Sequence, residues 1–458
     1  MHVRSQSRTV ARAAHLRAAL LALIVATLAP ATANALPSYA RQTGQPCASC
    51  HMGFPELTPF GRLFKLNGYT MGGGTSNLPP LAAMVQPAFT HTEKSQPAGA
   101  APHFGPNDNL AIQQTSIFYG GAIDSDIGLG AFAQATYDSA SRRIAWDNTD
   151  VRLARNTEAL GSSLTYGVTI NNNPSVQDVW NTTPAWSFPF TNSSLAPSPA
   201  AGTLIEGGLA QKVAGFGAYG MWDNHLYTEL SLYHQLPIRA QTTFGVDATG
   251  ESTLDGLAPY WRLVLNQDWD QNSLAVGTFG LTAALNPQRR SNVGTDRLTD
   301  IGLDAQYQFA GARDGVSLQA SWIHESQDWN ASQPLGITSN GHDTLKSFHT
   351  KVSYLYENTY GGTVGYFAMR GSNDAALYAP ETISGSATGS PNSDGWVFEL
   401  DYMPFNNGGP DAWPWVNMRL ALQYTAYTKF NGGNDNYDGS GRSASDNNAL
   451  FLLAWLTF

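Results

Sequence analysis

Three things are scarce in this 458-residue chain, and each scarcity excludes something. Cysteine occurs only twice, as Cys47 and Cys50. A structural zinc site of the common kind needs four Cys or His ligands at set spacings, and the chain lacks them near this pair. Long apolar runs are missing beyond the first 35 residues, so nothing there reaches the roughly 20 residues that a spanning helix needs. That removes a helical membrane protein from consideration. A barrel stays open, because transmembrane strands alternate polar and apolar residues and look soluble by composition. Positive charge is the third: Lys and Arg number 25 against 35 Asp and Glu. Four of the arginines, Arg4, Arg8, Arg12 and Arg17, fall in the opening stretch, which holds no acid, so the remainder is more acidic still. Such a balance argues against nucleic acid as a partner.

What is present begins with that opening stretch. A basic region precedes the apolar run Ala18 to Ala29, and Ala33-Asn34-Ala35 forms an A-x-A cleavage site. This predicts a secretory signal over residues 1–35, removed on export.

The two cysteines stand in Cys47-Ala48-Ser49-Cys50-His51. C-x-x-C-H is the attachment signature of a c-type haem. Two thiols reach the two vinyl groups on one porphyrin edge, and the adjacent imidazole turns onto the iron. A redox dithiol would expect a thioredoxin-like βαβ pattern around the motif, which is not visible. The expectation is one covalent haem c on Cys47 and Cys50, with His51 as proximal iron ligand. For the distal position Met84 is favoured, where the chain enters its first strand. Met71 sits in a glycine-rich run, Met52 adjoins the proximal His and cannot swing to the opposite face, and His91 is the outside choice. Residues 36–80 are too few for an ordinary independent domain, so the haem segment gains from a wall to lean on.

From Leu81 to Phe458 the period is two. Ile301, Leu303, Ala305, Tyr307 and Phe309 alternate with Asp300, Gly302, Asp304, Gln306 and Gln308; Trp396, Phe398, Leu400 and Tyr402 alternate with Val397, Glu399 and Asp401. About 16 such segments predict an all-β fold, a transmembrane antiparallel barrel, with the small α/irregular haem segment in or at its lumen. Connections alternate long and short, as outer loops and inner turns should. The long set is 93–108, 139–148, 172–206, 235–257, 286–296, 328–343, 371–393 and 429–447. The terminal aromatic Phe458 resembles the signal that outer-membrane assembly machinery reads, and Trp269, Trp322, Trp413 and Trp415 suit interfacial girdles. Arg152, Arg262, Lys351 and Arg419 fall on polar strand faces. With Arg41, Arg62 and Lys65 of the haem segment they are candidates to pair with haem propionates, Arg62 foremost.

The stretch from Leu36 to Thr70, with Phe54-Pro55-Glu56-Leu57-Thr58-Pro59-Phe60-Gly61-Arg62-Leu63-Phe64-Lys65 following the C-x-x-C-H motif, resembles the fused outer-membrane cytochrome–porin family. Its best-known members are iron(II)-oxidising outer-membrane cytochromes. The resemblance implies a monohaem N-terminus resting inside a barrel of about 16 strands in the cell outer membrane. Three functions then compete. The first is electron transfer from an extracellular donor, Fe(II) foremost, to a periplasmic c-type cytochrome or similar acceptor, an iron(II) oxidase activity. The second is a conduit with another donor or the outward direction. The third is a porin with a haem-bearing plug. Loops 172–206, 235–257, 371–393 and 429–447 would form the outer mouth, and Asp435, Asp438 and Asp446 would offer oxygen donors to a hard cation.

Overall fold

The computed structural model describes residues 37–72, 79–183, 188–246, 252–409 and 413–458. The expected signal, 1–35, lies outside these residues.

The alternation from Leu81 becomes strand. In chain order these are β1 (Leu81–Thr92), β2 (Asn109–Asp124), β3 (Leu129–Asp138), β4 (Arg143–Ala159), β5 (Ser162–Asn171), β6 (Val213–Trp222), β7 (Leu226–Gln235), β8 (Leu257–Trp269), β9 (Asn272–Asn286), β10 (Asp296–Ala310), β11 (Asp314–Asp328), β12 (His342–Tyr356), β13 (Tyr360–Gly371), β14 (Ser393–Tyr402), β15 (Asn417–Lys429) and β16 (Ala449–Thr457). Each pairs antiparallel with the next. Ala449 stands opposite Thr92 and Thr457 opposite Met84, so β16 meets β1 and the barrel closes with sixteen strands. A further three-residue strand, Thr253–Asp255, pairs beside β9.

The two faces differ as lipid requires. On β14, Trp396, Phe398 and Leu400 are 42%, 45% and 63% exposed, whereas the intervening Val397 and Glu399 are 3% and 2%. On β10, Ile301 and Leu303 face out while Asp300, Asp304, Gln306 and Gln308 are buried. An apolar exterior around a polar interior cannot sit in water, and a closed ring leaves no unpaired edge in hydrocarbon. The chain is an outer-membrane β-barrel. Trp269 and Trp322 lie on this outer surface. Trp415 does not: its ring carries the Arg41 guanidinium at 4.8 Å, so it serves the N-terminal segment.

Two stretches fill the lumen. The first is the N-terminal segment: α1 (Pro37–Thr43), the single turn α2 (Cys47–Cys50), a small ladder pairing His51–Gly53 with Glu56–Leu57, and α3 (Pro59–Leu66). Thr58 caps α3 by accepting from the Gly61 amide at 3.1 Å, and Pro59 opens it, where the missing N–H costs nothing. The second is the connection 172–212, most of which, 172–206, was expected at the outer mouth. It folds inward instead: Val179, Trp180, Leu195 and Ile205 are buried, and the Trp180 carbonyl accepts from Gln306 at 3.0 Å and Gln319 at 2.8 Å. Its apolar residues would be stranded in water, so they pack against the lumen wall. The expected loop 139–148 is also shorter, because β4 begins at Arg143 and only 139–142 connect it to β3.

Candidate functional site

The C-x-x-C-H motif sits at the short-turn end of the barrel. Ala48 N–H donates to the Asn406 carbonyl at 2.9 Å, and Asn406 belongs to the turn between β14 and β15. Short turns mark the periplasmic end of such barrels. Helix α3 packs hard against the motif. A Cβ at Gly61 would lie 2.3 Å from the Cys50 carbonyl oxygen, so only glycine allows the approach.

The His51 ring is half-buried with Nδ1 at 3.1 Å from the Pro55 carbonyl. Burial lowers its pKa to about 4, against the backbone contacts at Pro55 and Glu56, which act the other way. A neutral ring donating from Nδ1 keeps Nε2 as a bare lone pair, the state a metal-ligating His needs. Burial pushes the thiols up, Cys47 to about 11 and Cys50 to about 12.

Cys47, Cys50 and His51 line a cavity with about 1610 Å³ of atom-free space, part of it open to solvent. One band of the lining is apolar, with Phe54, Phe64, Met84, Phe118, Phe132 and Trp455; another is polar, with Gln86, Gln114, Gln134, Asp147, Asn148 and Asn181. Four buried wall atoms find no hydrogen-bond partner among the described residues: Trp455 Nε1, Tyr39 Oη, Gln86 Oε1 and Gln134 Oε1. Each such group costs about 1–3 kcal/mol. A wall that combines aromatic faces with unpaired donors and acceptors fits a large flat ring with polar substituents, and a haem is such a group.

The wall also has the right order. Asn417, whose side chain bonds Cys47, pairs with Thr457; Thr457 pairs with Met84, Met84 with Ser116, and Ser116 with Thr136. These five residues form one row around the lumen. At about 4.8 Å per strand, Met84 stands about 10 Å from each end of it. Its thioether thus lies midway along the row, with Cys47 beside the Asn417 end. Met84 is buried, and Gln86 Nε2 lies 3.3 Å from its sulfur. Of the other candidates, Met52 packs its methyl on Gly315, Met71 packs beside the Tyr69 cluster, and His91 pairs with Asp108 at 2.7 Å on the exposed outer rim.

The arginines expected at the propionates are engaged elsewhere. Arg62 donates to Gln306 and Gln308 at 2.9 Å and to Ser273 at 2.5 Å, and it does not line the cavity. Arg152 pairs with Asp150 at 2.7 Å, Arg262 with Asp178 at 3.3 Å and with Asp304, and Arg419 with Asp401 at 2.7 Å and with Glu399. Arg41 donates to the Leu81 carbonyl at 2.7 Å. Lys65 alone of this set lines the cavity; its ammonium meets the Val176 carbonyl, and burial lowers its pKa to about 8. The sequence reading missed Glu56, which ties the segment to the wall through Lys351 at 3.3 Å, Gln308 at 2.8 Å and Ser317. A lone acid in a segment bound for a polar lumen was the available signal.

At the opposite end the long loops are knitted together. Asp438 accepts from the Ile383 amide at 2.9 Å and Asp446 pairs with Lys94 at 2.8 Å. Asp435 accepts from Ser443 at 3.1 Å. The three acids staple loops rather than converge, and no group of three ligating side chains gathers to hold a metal among the described residues.

No protein-family model matches the chain, and neither does any curated protein. Solved structures similar to it are outer-membrane barrels. A loop-deletion form of OmpT, an outer-membrane protein of Vibrio cholerae, is 10% identical at a TM-score of 0.43, over 82% of this chain and 98% of that one. Salmonella typhi OmpF in complex with daunomycin is 14% identical at 0.42, over 82% and 97%. An anion-selective porin from Comamonas acidovorans is 10% identical at 0.43, over 82% and 98%.

Proposed function

We propose that this outer-membrane barrel is an electron-transfer cytochrome, taking electrons from an extracellular reduced donor, with Fe(II) as the leading substrate, and passing them to a periplasmic carrier. The observation that carries the reading is the cavity: it holds the C-x-x-C-H motif at the periplasmic end of a lumen that two chain segments fill. A haem bound there supplies one-electron redox chemistry. The protein's own residues do the rest. Cys47 and Cys50 would hold it covalently, His51 would offer Nε2 to its iron, and Met84 of β1 is the candidate second ligand on the same cavity. The aromatic band of the lining would keep water away from it. The Glu56 and Arg62 contacts hold the segment against the wall, so the motif stays beside the turn 403–416, where a soluble carrier can approach. The filled lumen supports a conduit over a diffusion pore.

The test has two stages. Denatured wild-type protein should keep haem-dependent peroxidase staining on a gel, and Cys47→Ala with Cys50→Ala should lose it; no staining in the wild type sinks the cytochrome reading. Oxidised protein should then be reduced by Fe(II) at neutral pH in a stopped-flow instrument. Slow reduction by Fe(II) beside fast reduction by another small donor would overturn the iron assignment alone.

A further inference from the structure

The cavity ends in a polar corner that the anchors and the axial ligand do not use. Thr136 closes the row that starts at Asn417, and its hydroxyl donates to the Asp147 carboxylate at 2.8 Å. Among the described residues, Asp147 is the only carboxyl side chain that lines the cavity. Its other contacts are neutral: the Asn148 amide at 2.8 Å and Gln211 at 3.4 Å, the latter from the inward-folded connection. The titratable groups sharing the cavity are Lys65 of α3, Tyr39 of α1, His51, Tyr69 and the two thiols. No arginine lines it.

The two edges of a haem are chemically opposite. The vinyl carbons that Cys47 and Cys50 would bond lie on one edge, and both propionates lie on the other. The anchors are beside Asn417 at one end of the row, and the axial ligand stands midway. The propionate edge therefore points to the other end, where Asp147 and Asn148 line the cavity beside Thr136. Resting on the cytochrome reading, we propose that Asp147 shares a proton with a haem propionate and makes the redox potential of this protein depend on pH.

The physical reason is that two buried carboxyl groups in contact do not both ionise while the site is otherwise neutral. With the cofactor reduced, one proton bridges the pair. When an electron leaves for the periplasmic carrier, the site gains a positive charge. The Asp147–propionate pair then becomes fully ionised, the O–H bond breaks, and the proton passes to lumen water. Reduction by the extracellular donor takes back one electron and one proton.

The experiment is a mediated redox titration of the detergent-solubilised full chain between pH 5 and 9, which needs no iron. The midpoint potential should fall with pH and approach about 59 mV per unit, the one-electron equivalent of a tenfold change in proton concentration. Asp147→Asn should flatten the line, and Asp147→Glu should keep its slope. Redox-difference infrared spectra of the wild type should show loss of a protonated-carboxyl band on oxidation, which tests the idea even if Asp147→Asn fails to fold. A flat wild-type line, no carboxyl band, or an unchanged slope in Asp147→Asn would overturn the proposal. Absence of covalent haem would instead remove the reading beneath it, and the staining assay separates the two.

Discussion

Glu56→Ala removes the acid that ties the N-terminal segment to the barrel, and the structure sets the size of the effect. Glu56 and its partner Lys351 are 2% and 5% exposed. Removing one member of a buried ion pair costs about 3–5 kcal/mol, chiefly because the other charge stays buried and uncompensated. Here the lower end applies. Lys351 still donates to the Pro189 carbonyl at 3.2 Å and sits 3.6 Å from the centre of the Phe190 ring. Gln306 and Gln308 also keep second acceptors, the Trp180 and Leu57 carbonyls at 3.0 Å. About 3 kcal/mol corresponds to roughly a hundredfold change in an opening equilibrium. The loss falls on docking of the segment, because the ladders of the barrel strands do not involve Glu56. Hydrogen exchange should therefore quicken roughly a hundredfold over Pro59–Leu66 while β10 to β12 keep their protection. Glu56→Gln combined with Lys351→Met should recover most of the loss, since neither charge is then stranded. Exchange over α3 that changes less than about twofold in Glu56→Ala, or that quickens equally across the strands, refutes the reasoning.

Met84→Leu should keep covalent haem staining but lower the midpoint potential, because a thioether ligand raises it; an unchanged potential and visible spectrum would remove Met84 from the axial position. Gly61→Ala should cut haem incorporation several-fold, as its methyl cannot coexist with the Cys50 carbonyl, and normal staining would show that α3 can shift freely. Lys65 has a lowered folded pKa of about 8 against an ordinary 10.5, so the unfolded chain binds more protons between those values and docking should tighten as pH rises through that window. Lys65→Met should abolish that trend, which exchange over α3 measured at pH 8 and 10 would reveal. Fractionation should place the protein with outer-membrane markers, and recovery as a soluble periplasmic species would contradict the barrel.

The strands were legible because lipid on one side and water-like polarity on the other force a period of two, as in Asp300 to Phe309. Strand count and the order of long and short connections followed from the same rule. What the period could not reveal was where a connection goes. Residues 172–206 read as an outer loop because they lack alternation, yet Val179 and Trp180 are buried inside. Asp147 was hidden for a related reason: the polar run around Asn148 looked like the loop 139–148, whereas it is strand with its side chains turned to the lumen. The spacing of Cys47, Cys50 and His51 marked them as a unit, and the structure places all three on one cavity. Basic side chains were not, because a sequence shows the charge on Arg152 or Arg419 without the Asp150, Glu399 or Asp401 that meets it across the sheet.

The seam between β1 and β16 has a consequence for biogenesis. Met84 belongs to the first strand, and Trp455 and Thr457 to the last, yet all three line one cavity. The pocket wall therefore does not exist until the ends of the sheet have zipped together. Attaching a cofactor to Cys47 and Cys50 requires an exposed motif, so on the proposed function the loading enzyme must act while the segment is still unfolded in the periplasm. Insertion into the membrane then completes the binding site around cargo already in place, and a mature, empty barrel offers no second chance to fill it.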